Sequence, residues 1–398
     1  MSARAMGTIL TINAGSSSIK FELFDAGGDL QRRFRGQLDG IGTAHPRLQA
    51  RDHAGQTLVD RTFEPDRVKD AHAAQDLIGA WLDEHQGGPP DAVGHRVVHG
   101  GLEFGAPALI DDGVLDKLQA LVPLAPLHQP NNLAPIRSIR ARRPGLPQVA
   151  CFDTAFHRGH APVIDRFAIP RALYEQGVRR YGFHGLSYEY IAGRLPDIAP
   201  EIAAKRVVIA HLGNGASLCA LAHGCSVDTT MSFSALDGLP MGTRPGALDP
   251  GVVLYLMAQK RMDAPAIEHF LYHDCGLKAL SGGSGDMRDL LASKTAEARL
   301  AVDYFVHRIA QCTAAMAATL GGLDGFVFTA GIGENAALVR AAVCEKLTWL
   351  GFGLDEAANA GHGPRISPAD SRVAVYVIPT DEELMIARHT RDVLRARG

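Results

Sequence analysis

Apolar and polar positions near the start of the chain follow a period of two. Thr8-Ile-Leu-Thr-Ile12 is rich in β-branched residues, and Ile19, Phe21 and Leu23 then alternate with Lys20 and Glu22, as in a strand with one buried face. Between them lies the small polar run Asn13-Ala-Gly-Ser-Ser-Ser18. The pattern predicts strand, tight loop, strand. The same order returns in the second half: Arg206–Ala210 reads as a strand, His211-Leu-Gly-Asn-Gly215 as a loop and Ser217–Leu221 as a second strand. Each pair leads to a further polar, strand-like piece, near Leu30–Gln37 and near Ser226–Met231. Identity between the halves is weak and hairpins are common. The repeat is therefore either coincidence or the mark of two similar domains, each opening with a hairpin whose turn points at a shared cleft.

Longer periods appear further on. Ala296–Leu320 predicts a long helix that buries Leu300, Tyr304, Ile309, Met316 and Leu320 and stops at Gly321. Gly325–Thr329 predicts a short buried strand followed by the turn Gly331-Ile-Gly-Glu-Asn335. Val373–Ile378 is a further strand, stopped by Pro379, and Thr380–Glu383 opens a helix with acidic residues where its dipole favours them. Strands mixed with helices argue for an α/β chain. The stretch Pro144–Pro147 marks an approach to a boundary.

Composition narrows the picture. With 398 residues, 46% apolar and 21% charged, the chain is long enough for two globular domains. A formal charge of -3 supplies no basic field for nucleic acid, so any phosphate site must be built locally. Six scattered cysteines (Cys151, Cys219, Cys225, Cys275, Cys312, Cys344) without a C-x-x-C pair read as reduced, cytosolic thiols. Neither Met1–Met6 nor the short Ile9–Ile12 run makes a secretory signal, and no stretch approaches the roughly 18 apolar residues of a membrane span.

Asn13–Lys20 offers a glycine, three serines, an amide and one cation. It suits either a phosphate cradle with Asn13 at a metal or a polar hairpin turn with a solvated lysine. The G-x-x-x-x-G-K-[ST] order is absent. His211–Gly215 and Gly331–Asn335 are glycine turns after strands. Neither fits G-x-G-x-x-G, because Ser217-Leu218 and Ala336 fill the place of the last glycine. Together with Ser281–Arg288 they point to a phosphate-rich nucleotide. Arg96, in Gly94-His-Arg-Val-Val-His-Gly-Gly101, and Arg244, in Met241-Gly-Thr-Arg-Pro-Gly246, suit a carboxylate or phosphoryl group, though a surface ion pair is the commoner use of an arginine. His95 and His99 lack the glutamate and helical setting of a zinc motif. Cys151–His157 adds Asp153, and Tyr181-Gly-Phe-His-Gly185 places His184 between glycines, in a loop with room for a ligand.

Taken together the ordered motifs resemble the acetate kinase family, within the larger group of sugar-kinase-like and actin-like ATPases. They are N-A-G-S-S-S-I-K (Asn13–Lys20), G-H-R-V-V-H-G-G (Gly94–Gly101), P-L-A-P-L-H (Pro123–His128), F-D-T-A-F-H (Phe152–His157), Y-G-F-H-G (Tyr181–Gly185), H-L-G-N-G (His211–Gly215), M-G-T-R-P-G (Met241–Gly246) and G-I-G-E-N (Gly331–Asn335). The resemblance implies an α/β fold of two similar ribonuclease H-like/actin-like domains with an interdomain cleft. Residues 1–154 would be completed by a C-terminal helix at 382–398, and 155–381 would carry most nucleotide contacts. It implies Mg²⁺, with Mn²⁺ as a substitute, near Asn13 and Glu382, and ATP phosphates near Lys20. Nucleotide contacts would come from His211, Leu212, Gly213, Asn214 and Gly215, from Asp286, Met287 and Arg288, and from Gly331, Ile332, Gly333, Glu334 and Asn335. Arg96 would take the substrate carboxylate in a pocket of Val98, Leu127 and Phe183. Asp153 is the family's acid/base residue, and His184 and Arg244 would stabilise the transition state. A cytoplasmic homodimer that converts acetate and ATP to acetyl phosphate and ADP, without nucleic-acid or membrane partners, is the activity implied. Propionate or butyrate kinase is the alternative within the fold, and a non-enzymatic actin-like ATP switch the alternative outside it.

Two departures stand out. The family often reads F-H-G-T-S-H, but here Leu186 and Tyr188 replace the threonine and the second histidine. A familiar proline in the substrate-pocket wall is Ala235, in Ser232–Gly238, which leaves room for a longer acid. A carboxylate nucleophile titrates near about 4.3 and is already an anion at neutral pH. No general base is needed in that direction, so Asp153 is read as an orienting group.

Overall fold

The computed structural model describes residues 7–15, 17–85 and 87–397, so Met1–Met6 and Ser16 of the first loop lie outside the described residues. The chain divides into two compact units. One runs up to Phe156 and takes back the segment from Asp381 onward; the other is His157–Thr380.

The first unit is built on eight strands: β1 (Thr8–Ala14), β2 (Ser18–Asp25), β3 (Gln31–Asp39), β4 (Arg47–Asp52), β5 (Thr57–Thr62), β6 (Ala92–Val97), β7 (Ala108–Leu109) and β8 (Gln148–Phe152). They lie in the order β5-β4-β3-β2-β1-β6-β8-β7. β1 to β5 form an antiparallel meander, and β1, β6 and β8 run parallel. The first loop is shorter than the sequence suggested. Asn13 and Ala14 belong to β1 and Lys20 to β2, where Asn13 pairs with Lys20 across the ladder. The expected alternation in β2 also breaks at Glu22, which is buried. Arg32 supplies the charge that makes this tolerable, its Nε donating to Glu22 Oε2 at 2.5 Å.

Helices cover both faces of this sheet. On one, Trp81 of the helix Ala71–His85 packs against Phe21 and Phe34, with ring centroids 5.6 and 5.3 Å away. On the other, the helix Glu382–Arg395 sets Ala387 among Ile9, Phe24 and Ala92. That helix lies so close that a Cβ on Gly94 would be 2.2 Å from Thr390 Oγ1 and 2.6 Å from Ile386 Cγ2. The close approach, not a turn, requires glycine there.

The second unit holds β9 (Arg206–Leu212), β10 (Ala216–Ala222), β11 (Cys225–Thr229), β12 (Gly325–Thr329) and β13 (Ala374–Val377), in the order β11-β10-β9-β12-β13. β9 to β11 are antiparallel, and β9, β12 and β13 are parallel. This repeats β3-β2-β1-β6-β8 strand for strand and direction for direction, so the faint internal repeat is a real duplication of topology. Three readings need correction. His211 and Leu212 lie inside β9, not in a loop, because the ladder to β10 continues to Leu212↔Ala216. Gly331–Asn335 is not a turn but most of a short helix, Ala330–Asn335. The helix Ala296–Leu320 has the expected bounds, N-capped by Thr295 and ended by left-handed Gly321, but Leu300 and Tyr304 are exposed and Leu320 is half-buried. Its buried face is carried by Ala298, Ala301, Phe305, Ile309, Met316 and Ala317. Among the described residues no helix is long and apolar enough to cross a membrane.

Candidate functional site

In the first unit polar groups collect at the C-terminal ends of the parallel strands β1, β6 and β8, where ligands sit in open α/β sheets. β1 carries Asn13, β6 carries Arg96 and β8 runs into Asp153. Arg96 is the hub. Its Nε and Nη2 donate to the Asp153 carboxylate at 3.0 and 2.5 Å, and its Nη1 donates to Asn13 Oδ1 at 3.2 Å. Glu382 lies 4.0 Å from Nε. Burial alone would make the guanidinium easier to deprotonate, but the charges of Asp153 and Glu382 more than offset this and hold it protonated.

Carboxylates outnumber cations around this hub. Asp153 is 1% exposed. Glu382 and Glu383 open the C-terminal helix, and Glu383 Oε1 accepts the Asn13 Nδ2 hydrogen at 3.1 Å. Burial pushes the Glu382 pKa up to about 7 despite the pull of Arg96. Behind them, burial raises Glu22 to about 8, and Arg32 bridges Glu22 and Asp381 at 2.5 and 2.6 Å. The exposed Lys20 is near enough for its charge to favour ionised Glu382. Asn13 Oδ1 and Glu382 are oxygen donors suited to a hard cation, although no cage of three or more His, Cys, Asp or Glu exists among the described residues. Val98 is buried, its N–H donating to Asn132 Oδ1 at 2.9 Å, and Leu127 is half-buried.

Phe183, the third residue of the expected apolar pocket, belongs to the second unit, where its carbonyl accepts from His157 Nε2 at 2.9 Å. His184 follows, left-handed at φ 58°, in the N-cap position of the helix Gly185–Ile198. Its Nδ1 lies 2.8 Å from Ser217 Oγ, and its ring stacks on His211 at 4.2 Å and 17°. Arg244 Nη1 donates to the Ala235 carbonyl at 2.8 Å. A Cβ on Gly215 would sit 2.9 Å from His184 Nε2 and 3.5 Å from Arg244 Nη2. Two side-chain nitrogens thus converge over a residue with no side chain.

Beside them opens a cleft of about 690 Å³ in the same unit. Of the expected nucleotide residues, Gly213 and Asn214, the segment Asp286–Arg288, and Gly331, Ile332 and Asn335 line it. His211, Leu212, Gly215, Gly333 and Glu334 do not. His211 and Leu212 are buried in β9, Gly333 is buried in its helix, and Glu334 Oε1 accepts the Thr380 N–H at 3.2 Å. Thr243, Leu277 and Phe305 also line the cleft and escaped sequence reasoning, as did Glu383 and Ser217. Only Glu383 left a signal, its place in an acidic helix start.

The Acetokinase family model matches residues 8–388. The acetate kinase of Nitrobacter hamburgensis is 58% identical over 395 residues, spanning 99% of this chain and 98% of that protein. Among solved structures, a propionate kinase from Francisella tularensis is similar with a TM-score of 0.89 and 36% identity, covering 97% of this chain and all of that one. The Porphyromonas gingivalis acetate kinase follows with 0.85 and 35%, covering 98% and 100%. On these matches, which run the length of both chains, the protein belongs to the acetokinase family.

Proposed function

We propose that this protein transfers the γ-phosphoryl group of ATP reversibly to acetate, giving acetyl phosphate and ADP. The observation that carries the reading is the convergence of His184 Nε2 and Arg244 Nη2 over Gly215, beside a cleft large enough for a nucleotide. An anionic nucleophile meeting an anionic phosphoryl group is opposed by charge. Loose phosphoryl transfer is catalysed mainly by positioning and by stabilising that charge. Arg244 and the His184 donor serve the transferring oxygens. Arg96 takes the acceptor carboxylate, and Asp153 holds Arg96 in place through two of its nitrogens. Asp153 is already engaged in this way, which favours an orienting role over proton transfer.

A divalent cation, Mg²⁺ with Mn²⁺ as a substitute, fits the first unit. Asp153, Glu382 and Glu383 outnumber the one guanidinium among them, and Mg²⁺ needs only one or two protein carboxylates besides water and phosphate. Asn13 and Glu382 would hold it. When bound it would neutralise charge on the nucleotide phosphates. ATP use and six free thiols support a cytoplasmic location.

The helix Pro250–Lys260 buries none of its residues yet presents Leu254, Tyr255 and Met257 at 65, 52 and 49% exposure. A second copy of the chain covers this face in our reading, making a homodimer. Light scattering should give twice the chain mass, and Leu254→Glu with Tyr255→Glu should halve it. A monomeric parent protein would overturn the dimer.

A hydroxamate assay for acyl phosphate, with ATP and acetate, tests the activity directly. No hydroxamate at saturating acetate would sink it. Propionate is the second reading, favoured by the small Ala235 side chain and by the similarity to a propionate kinase. Comparing kcat/KM for acetate, propionate and butyrate separates the two.

A further inference from the structure

His184 is held by a chain of hydroxyls. Tyr188 lies one helical turn after it, fully buried, its N–H donating to the His184 carbonyl at 3.1 Å. The Tyr188 hydroxyl is 2.5 Å from Ser217 Oγ, and the same Oγ is 2.8 Å from His184 Nδ1. Ser217 is on β10 and fully buried, so one serine proton serves two neighbours. A phenol, with a pKa near about 10, is the stronger donor of the two hydroxyls. Tyr188 therefore donates to Ser217, and the serine proton goes to Nδ1. The imidazole proton is left on Nε2, the nitrogen over Gly215 and beside Arg244.

The stacked neighbour has the opposite arrangement. Ser187 Oγ donates to Thr380 Oγ1 at 2.9 Å, so it accepts from His211 Nδ1 at 2.8 Å. His211 thus carries its proton on Nδ1. Two rings 4.2 Å apart and nearly parallel disfavour a positive charge on both at once.

We propose that Tyr188 and Ser217 are positioning residues that lock His184 as the neutral tautomer with its proton on Nε2, making that nitrogen a permanent donor toward the transferring phosphoryl group. The proposal rests on the role given to His184 above. It gives a purpose to Tyr188, one of the two residues by which this chain departs from the family motif. The other tautomer would turn a lone pair toward anionic oxygens and forfeit a directed hydrogen bond, and losing such a donor costs on the order of 10²-fold in kcat. Partial loss of the lock should cost on the order of 10-fold.

The test is long-range ¹H–¹⁵N spectroscopy of the full chain labelled at histidine, with His184→Gln to assign the signal, alongside steady-state kinetics. The intact protein should show a protonated Nε2 and an unprotonated Nδ1 at His184. Ser217→Ala and Tyr188→Phe should mix the tautomers and lower kcat while leaving the KM for ATP unchanged. Tyr188→His, which restores the residue typical of the family and keeps a ring N–H, should recover most of the rate. A protonated Nδ1 in the intact protein, or a signal unmoved by Ser217→Ala, overturns the lock. Mixed tautomers with an unchanged kcat would uphold the lock and instead remove His184 from the transfer step.

Discussion

Arg96 sits among carboxylates, whereas Arg244 donates to a main-chain carbonyl and leaves Nη2 over Gly215. The two substitutions should therefore separate kinetically. Arg244→Ala is expected to lower kcat by on the order of 10³-fold with little change in the KM for acetate, as for arginines that act on transition-state charge. Arg96→Ala should raise that KM, and it strands Asp153, Glu382 and Glu383 without their cation. Equal, small effects from both changes would refute the assignment. Asp153→Asn removes the charge that steers Arg96 but leaves a group of the same shape. Its effect should fall mainly on the acetate KM, and the kcat profile should keep any limb near about pH 5 that the parent shows, because no proton passes through Asp153. An acidic limb present in the parent and lost in the variant would show the orienting role to be wrong. Motifs exposed Arg96, Asp153 and Arg244 as individual residues. The pairing of Arg96 with Asp153, 57 positions apart, needed the parallel ladder of β6 and β8 to appear.

At the scale of elements, glycine marked two kinds of place that sequence could not tell apart. Gly94 admits the C-terminal helix to the sheet, and Gly215 leaves room for His184 and Arg244. Gly94→Ala should cost about 1–3 kcal/mol through overpacking, read as a lower urea midpoint. Since that helix begins at Glu382 and Glu383, the acetate KM should rise with it. Gly215→Ala should cost less stability than Gly94→Ala, because one ring and not a packed helix stands in the way, yet lower kcat by at least about 10-fold through the misplaced donor. Reversed outcomes would mean the two glycines have been given each other's jobs. Period-two patterning located only part of β2; β1, β9 and β10 are buried on both faces and showed instead as short apolar runs around glycine-containing loops. It failed at His211 and Leu212 because nearby glycines suggested a turn before the ladder had ended. The long helix was misoriented for another reason. Its buried face is largely alanine, and Leu300 and Tyr304, which dominate any hydrophobicity reading, point outward.

For the whole molecule, the repeat of five strands was visible as two similar hairpins, while the parallel half of each sheet was not. Parallel partners such as β9 and β12 are separated by more than a hundred residues of helix and loop. Both units share one further property that follows from their cores. His95 and His99 in the first unit, and His157 and His160 in the second, lose solvent on folding. Burial lowers their pKa values to about 4 for His95, His99 and His160 and about 3 for His157. In the unfolded chain a histidine titrates near about 6.5. Above that pH both states leave the rings neutral and the groups have no effect on stability. Below it the unfolded chain takes up protons that the folded chain refuses, so stability is lost as the pH falls from 6.5 toward 4. Each group costs about 1.4 kcal/mol per pH unit in that window, so the two in each unit remove a sizeable part of the 5–15 kcal/mol, roughly, that holds a domain folded. Glu22 and Glu382, raised by burial to about 8 and 7, act in the opposite sense, since there the folded chain keeps protons that the unfolded chain has lost. Urea midpoints should thus rise slightly from about pH 8 to 7 and fall between about pH 6.5 and 5, with unfolding at about pH 5.5 accompanied by net proton uptake, because four histidines outnumber two carboxylates. His95→Gln should start lower at neutral pH, because its Nε2 bond to Gln148 Oε1 at 2.8 Å is disturbed. It should then lose less on acidification, since one of the four refused protons is gone. A midpoint that does not move between neutral and mildly acidic solution would show that these buried rings titrate as they do in water.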